Sequence, residues 1–467
     1  MAQDFITEKI PGLKVSKVIE VCQGRFFGPS DVLADEITGM QINSQKIVQG
    51  NLFCAFKGQN TDGNKFIPNA IDAGAIAAIT DAGASGKFPT IKVDNVQSAM
   101  AKIATFYRST LKIPIVAIIG SVGKTSTKEA IASVLQEQFS VAKTSGNLNN
   151  ELGLPITMLS IKPAHEVAVV EMGISDFGEM TRLTKITRPD VLVFTNVGEA
   201  HLEKLVDKAG VLRAKSEAFN YMNPGATVIL NGDDEMLKTV KTVNGKAPFT
   251  FGLSDGCNTK ARCVKNLGLS GFSGELCIRD NSSHFELGLP GKHAIYNMLA
   301  AASVGDALGM PLKKITKGIK NSKNIQGHGT IEKCKSVIIL NEAYNANPSS
   351  MRASLDLLES APSPKIAILG EMGELGKDSK SMHESLGAYI ASKQIDELVL
   401  VGEKSKCTLH GFTHAEGKFP VSYFATKQEA ISNLSSFIKP GASILVKSCN
   451  SLKFSDIVAA IKSVLNS

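Results

Sequence analysis

The stretch Ile115 to Ile131, IVAIIGSVGKTSTKEAI, constrains this chain more than any other. An apolar, β-branched run leads into a glycine-containing turn that ends in Gly-Lys-Thr, and a helix-forming segment follows. That is the layout of a phosphate cradle. Backbone N–H groups of the turn and the first helical turn converge on one place, and the helix dipole adds positive potential there. By this reading Gly120, Ser121, Val122, Gly123, Lys124, Thr125 and Ser126 bind a nucleotide, with Lys124 against β/γ-phosphate oxygens and the Thr125 hydroxyl on Mg²⁺. The standard pattern needs a first glycine at position 118, which is Ile118 here, so the turn is the shorter G-x-x-G-K-T. So short a pattern also arises by chance; the strand before it and the helix after it favour nucleotide binding.

The chain has 467 residues, room for two to four domains of roughly 100–200 residues each. Its formal charge of +7 suits an anionic small molecule as well as nucleic acid, and no Lys/Arg run favours the latter. Simple solubility explains the charge equally well. Eight cysteines are scattered without a CxxC pair or histidines at zinc spacing, so reduced thiols in a cytoplasmic protein are expected. The N-terminus carries early acidic residues and no apolar core, unlike a signal peptide. No apolar run approaches the ~18–20 residues that span a bilayer, so no membrane insertion is expected.

The alternation of patterns predicts an α/β chain of three domains. Residues 1–112 read as a small α/β domain, with strands at Leu52–Gly58 and Pro89–Asn95 and a helix running into a strand over Asn69–Asp81. Residues 113–325 read as a central parallel-sheet domain. After the phosphate turn come EVAVVEMG, PDVLVFTNVG and ATVILNGDD, short apolar runs ending in polar or glycine clusters, as buried parallel strands do. The segment Thr250–Leu289 alternates and is expected to be antiparallel, followed by a helix over Lys292–Gly309. Residues 326–467 repeat the alternation with strands SVIILNE, KIAILGE, DELVLVG and ASILVKS, a second open, Rossmann-like α/β domain without a phosphate turn. Two α/β domains around a nucleotide imply a cleft that closes, as in a ligase or kinase.

Ligands of such sheets lie at the carboxyl ends of the strands, where Glu171 and Asn196 fall. Glu171 could share with Thr125 the Mg²⁺, or be an exposed strand-end carboxylate. His201, just beyond another strand end in TNVGEAHLE, is a metal candidate; alone, a loop histidine is more often structural. Lys215, in AKSEAF, reads from pattern alone as a solvated helical lysine. His293 and Asn297 share a helix face, and an asparagine amide can read adenine; packing against a loop is the plain alternative. His165, His284, His410 and His414 read as surface residues.

With these residues in hand, the chain resembles the Mur ligases of bacterial cell-wall synthesis over essentially its whole length. GSVGKTSTK, TSGNLNNELGLP, EMG, TNVGEAHLE, AKSEAF, NGDD and LPGKHAIYN carry the resemblance in combination. NEAYNANPSSM, LGEMGELG and the N-terminal LFCAFKGQNTDGNKF are similar to the branch that adds D-alanyl-D-alanine. The resemblance implies a UDP-substrate domain, an ATPase domain and a C-terminal domain for the incoming amine. It implies ATP, two Mg²⁺ ions, and synthesis of UDP-MurNAc-pentapeptide from UDP-MurNAc-tripeptide and D-Ala-D-Ala through an acyl phosphate. No nucleic acid partner is expected, and a monomer is. Lys124, Lys215 and His201 would be catalytic, with Lys215 carbamylated so that it joins Thr125, Glu171 and His201 around the metals. His293, Asn297, His328 and Glu342 would serve the nucleotide. Ser44, Asn149, Asn150, Glu151, Tyr344, Asn345 and Asn347 would serve the substrates.

Several positions depart from the family pattern. Asp-Ser-Arg is Asn43-Ser44-Gln45, the His of Asp-Gly-His-Asp-Phe is Asn64, and an arginine expected at ATP phosphate is His328. An Asp is Glu342, and Lys-Gly-Ser-Arg is Lys447-Ser448-Cys449-Asn450. A His for Arg exchange loses permanent charge and fork geometry. Three other readings therefore stand beside the first: a related ligase with another peptide, a folylpolyglutamate synthetase, and a nucleotide-binding homologue without turnover. The NEAYNANP stretch and the N-terminal domain fit the synthetase poorly.

Overall fold

The computed structural model describes residues 8–58, 61–198, 202–323 and 329–466. His201 and His328 therefore lie outside the described residues. Among those described, the strands form three sheets in chain order.

The first contains β1 (Arg25–Phe27), β2 (Gly39–Gln41), β3 (Asn51–Ala55), β4 (Ala77–Thr80) and β5 (Thr90–Lys92), in the order β1-β5-β4-β3-β2. All its pairs are parallel except β1 with β5. β1 and β2 are three-residue strands that sequence pattern did not predict, too short to show alternation. Helix α1 (Val96–Thr110) leaves this sheet and ties it to the next. The buried Arg108 donates from Nε to Thr187 O at 2.6 Å and from Nη2 to Asp190 Oδ2 at 3.0 Å. Tyr107 Oη donates to Ile161 O at 2.6 Å. Ile103 and Tyr107 share one apolar cluster with Leu154, Met158 and Leu183 of the central domain. The first two domains thus hold each other through a common core.

The central sheet contains β6 (Ile115–Ile119), β7 (Val141–Lys143), β8 (Val167–Glu171), β9 (Val191–Phe194), β10 (Thr227–Asn231), β11 (Phe249–Gly252), β12 (Thr259–Asn266), β13 (Phe272–Ile278) and β14 (Asn281–Leu287). Its order is β14-β13-β12-β11-β10-β9-β6-β8-β7. β6, β8 and β9 are wholly buried, which is why they read as continuous apolar runs. The expected antiparallel segment needs correction at its start. β11 pairs parallel with both β10 and β12, and antiparallel pairing begins only between β12 and β13. Alternation reports a half-exposed strand, not its direction. Helix α2 (Lys124–Leu135) follows β6, α3 (Gly153–Leu159) precedes β8, and α4 (Glu179–Thr187) follows it. Helix α5 (Lys208–Ser216) follows β9, and α6 (Lys292–Ala307) follows β14.

The third sheet contains β15 (Thr330–Cys334), β16 (Val337–Glu342), β17 (Lys365–Leu369), β18 (Glu397–Val401), β19 (Val421–Phe424) and β20 (Ser443–Lys447), in the order β15-β16-β20-β17-β18-β19. Only β15 is antiparallel to its neighbour. Helices α7 (Pro348–Glu359) and α8 (Ser379–Ala391) lie on it, and each face has its own apolar cluster. The loop after β17 reaches back to the central domain: a Cβ on Gly376 would stand 3.5 Å from Glu203 Cα. No described helix is long and apolar enough to cross a membrane.

Candidate active site

The phosphate turn is clamped from the neighbouring strand. Ser121 N donates to Asn196 O at 3.0 Å, and Val122 N donates to Asn196 Oδ1 at 2.9 Å. In return Asn196 Nδ2 and Thr195 Oγ1 donate to Val122 O at 2.8 and 2.9 Å. Gly120 stands at φ +145°, and a Cβ there would lie 2.0 Å from Thr195 Oγ1, so only glycine fits. The Gly123 φ is +80°, turning the chain into α2. Thr127 N donates to Gly123 O at 2.8 Å, so the amides of Lys124, Thr125 and Ser126 precede the first helical hydrogen bond. They form the anion-facing end of the helix.

The metal candidates are adjacent. Thr125 Oγ1 donates to Glu171 Oε2 at 2.9 Å, and Asn149 Nδ2 donates to Glu171 Oε1 at 2.8 Å. Glu171 is 2% exposed, not a solvated strand-end carboxylate. A hydroxyl and a carboxylate side by side are the hard oxygen donors Mg²⁺ takes, with nucleotide oxygens and water completing the shell. Among the described residues no group of three or more His, Cys, Asp or Glu could hold a metal by itself. The pair fits an ion shared with a phosphate.

Two lysines face this corner. Lys124 folds back, donating to Gly120 O at 3.0 Å. Desolvation pushes its pKa down, while the charges of Glu171 and Glu374 oppose the shift. Lys215, on α5, is 1% exposed. Burial and then the positive charge of Lys124 drive its pKa well below the usual lysine range, with Glu179 opposing. Its helix is anchored by Glu217, whose carboxylate accepts from Gly178 N at 2.9 Å and Thr181 N at 3.1 Å, at the start of α4.

The C-terminal domain forms the other wall. Tyr344 is 37% exposed, and its pKa is raised by desolvation and by the Glu171 charge. Glu342 pairs with the buried Lys447 at 3.1 Å. His293, at the start of α6, faces that pair. The residue is exposed, and desolvation by nearby protein together with the Lys447 charge lowers its pKa, with Glu342 opposing. Asn297 Oδ1 accepts from Thr127 Oγ1 at 2.9 Å, so this asparagine abuts the phosphate helix.

The remaining predicted positions have local roles. Asn150 Oδ1 accepts from Gly153 N at 2.9 Å at the start of α3, and Glu151 pairs with Arg182. Asn345 Oδ1 accepts from Ala346 N at 2.8 Å. Asn347 is the N-cap of α7, accepting from Ser350 N at 2.9 Å in a capping box. Ser44 lies apart in the first domain, on the 3₁₀ turn Ser44–Lys46 capped by Asn43. The structure thus gathers Lys124, Thr125, Glu171, Asn149 and Lys215, sets His293 and Tyr344 at the cleft, and leaves Ser44 outside it. Sequence reasoning missed Asn196 as the clamp and Glu217 as the anchor. Both stand inside recognised motifs, but only tertiary contacts give them a task.

Models of the Mur ligase middle domain, of the Mur ligase glutamate ligase domain and of the Mur ligase family catalytic domain match residues 118–305, 330–450 and 36–108. The UDP-N-acetylmuramoyl-tripeptide–D-alanyl-D-alanine ligase of Bacillus subtilis is 30% identical, covering 95% of this chain and 97% of its own. The chain belongs to the Mur ligase family. The fold of this Mur ligase is similar to that of MurF from Acinetobacter baumannii, with a TM-score of 0.89 at 27% identity over 98% of this chain and 100% of that one. It is also similar to the Thermotoga maritima MurF ligase solved with ADP, with a TM-score of 0.80 at 26% identity over 92% and 98%.

Proposed function

We propose that this Mur ligase is an ATP-dependent amide ligase that adds D-alanyl-D-alanine to UDP-N-acetylmuramoyl-tripeptide in peptidoglycan precursor synthesis. The full-length likeness to UDP-N-acetylmuramoyl-tripeptide–D-alanyl-D-alanine ligases supports the substrates. The observation that carries the chemistry is the corner where Thr125, Glu171 and Asn149 meet at the phosphate turn beside two lysines of lowered pKa.

A carboxylate is a poor electrophile, and it meets an anionic phosphate. Charge must be neutralised before attack. The α2 amides and Lys124 cradle the phosphates. The tripeptide carboxylate oxygen then bonds to the γ-phosphorus as the bond to ADP breaks, giving an acyl phosphate. The dipeptide amine, having shed its ammonium proton, bonds to the acyl carbon. The tetrahedral adduct passes its extra nitrogen proton to the departing phosphate as the carbon–oxygen bond breaks, and leaves the amide. Thr125 and Glu171 would hold Mg²⁺, which neutralises phosphate charge when bound. Two ions are proposed, the second near His201.

Lys215 is proposed to carry a carbamate. Carbamylation needs a neutral amine, and its environment disfavours the ammonium. The product is an anion able to share the second metal. Asn297 is assigned to adenine with His293 near it, His328 and Glu342 to the nucleotide, and Tyr344, Asn345 and Asn347 to the substrates. A cytoplasmic, monomeric enzyme completes the reading.

The test is phosphate release from ATP and Mg²⁺. Release that requires both UDP-MurNAc-tripeptide and D-Ala-D-Ala is expected. Lys124→Ala should abolish it while leaving UDP-substrate affinity nearly unchanged. Nucleotide binding without release would mean a non-catalytic homologue.

A further inference from the structure

Lys128 lies four residues after Lys124 on α2, on the same face of the helix. It is 2% exposed, and burying an ammonium is costly unless its hydrogen bonds are met. Its Nζ donates to Thr144 O at 2.7 Å and stands 3.2 Å from Glu129 Oε1. Thr144 follows β7 and is bonded to β8 on its other side. Thr144 N donates to Val169 O at 3.1 Å, and Thr144 Oγ1 accepts from Glu171 N at 2.9 Å. Five residues on, Asn149 Nδ2 holds the Glu171 carboxylate, and Asn149 O accepts from Gly173 N at 2.8 Å. The segment from Thr144 to Asn149 is therefore fastened to the strand end on both sides of Glu171, with Lys128 gripping its first residue.

We propose that Lys128 is a positioning residue for the metal–nucleotide site: through Thr144 it fixes the backbone of Glu171 and the Asn149 side chain that orients the Glu171 carboxylate. It touches neither nucleotide nor metal. One helix then serves both sides of the site, Lys124 toward the phosphates and Lys128 behind the carboxylate. The inference rests on the reading of Thr125 and Glu171 as the Mg²⁺ pair. Its logic is that of outer groups around a metal ligand, whose loss lowers affinity although the ligand remains.

The test uses the full chain with ADP and Mn²⁺, free Mn²⁺ being read by electron paramagnetic resonance, and urea unfolding recorded for each variant. Glu171→Gln should weaken ADP-dependent Mn²⁺ binding; if it does not, the metal reading itself fails. Given that loss, Lys128→Met should weaken the same binding by about 10-fold while remaining folded under the assay conditions. In the Glu171→Gln background the Lys128 change should add nothing, because both act on one group. Thr144→Val, which removes the acceptor of the Glu171 amide, should reproduce the loss and keeps the test open should Lys128→Met not fold. Unchanged Mn²⁺ affinity in folded Lys128→Met or Thr144→Val, or a fully additive loss in the double variant, overturns the proposal.

Discussion

Glu342 and Lys447 stand opposite each other at the carboxyl ends of β16 and β20, their side chains paired at 3.1 Å. The Lys447 side chain is 3% exposed and that of Glu342 is 14%. Glu342→Gln keeps the shape and leaves a buried ammonium without its countercharge. The expected loss is about 3 kcal/mol of stability in urea unfolding, since removing one partner of a buried pair is far costlier than replacing both. Glu342→Asp should lose less. Equal stability of parent and Gln variant would show that Lys447 is neutralised elsewhere.

Lys162 gives the protein a pH signature. It is 3% exposed at the contact of the first two domains, with Nζ donating to Glu8 O at 3.0 Å and Thr38 O at 2.5 Å. Burial pushes its pKa down to about 8, against the opposing charge of Glu8. The unfolded chain keeps the ordinary value of about 10.4 and so binds more protons between the two. Stability contributed by this group therefore rises with pH from about 8 to about 10.4, by roughly 3 kcal/mol in all. Below pH 8 the full cost of the buried cation is present. Lys162→Met should flatten that part of the stability–pH curve. Parallel curves for parent and variant would refute the assignment.

Asn347 separates a structural role from a substrate role. As the N-cap of α7 it satisfies the Ser350 amide. Asn347→Ala should cost about 1 kcal/mol of stability. Asn347→Asp can make the same cap and should restore it. If the dipeptide KM rises in both variants while only Ala loses stability, the residue also touches substrate.

Lys215 predicts a dependence on dissolved CO₂. Turnover in buffer freed of bicarbonate should fall and recover on adding it, because the lowered pKa keeps the Lys215 amine available to CO₂. Lys215→Arg, whose guanidinium stays protonated, should be inactive and unresponsive. Turnover indifferent to bicarbonate from pH 7 to 9 would remove the carbamate from the mechanism.

The phosphate turn was legible because its constraint is local. A glycine at +145°, a lysine and a hydroxyl one helical turn deep must follow one another in the chain, and Gly120, Lys124 and Thr125 do. The buried strands were legible for the same reason: solvent exclusion on both faces writes a continuous apolar run. Strand direction in β11, the short strands β1 and β2, and the partner of each polar side chain are set by segments far apart in the chain, and periodicity does not carry that information.

Lys215 shows the division most clearly. Its helix is readable, and by pattern its side chain belongs in water. Packing of α5 against α4, locked by Glu217, instead buries it beside Lys124. By itself the amino-acid order determined the longer elements, the three-part α/β plan and the glycine turn before α2, because hydrophobic periodicity and backbone sterics act over a few residues. Only the tertiary structure decided which charges lose their water, which carbonyls and carboxylates face them, and therefore which side chains can do chemistry, because desolvation and Coulomb forces depend on distances in space that sequence separation does not encode.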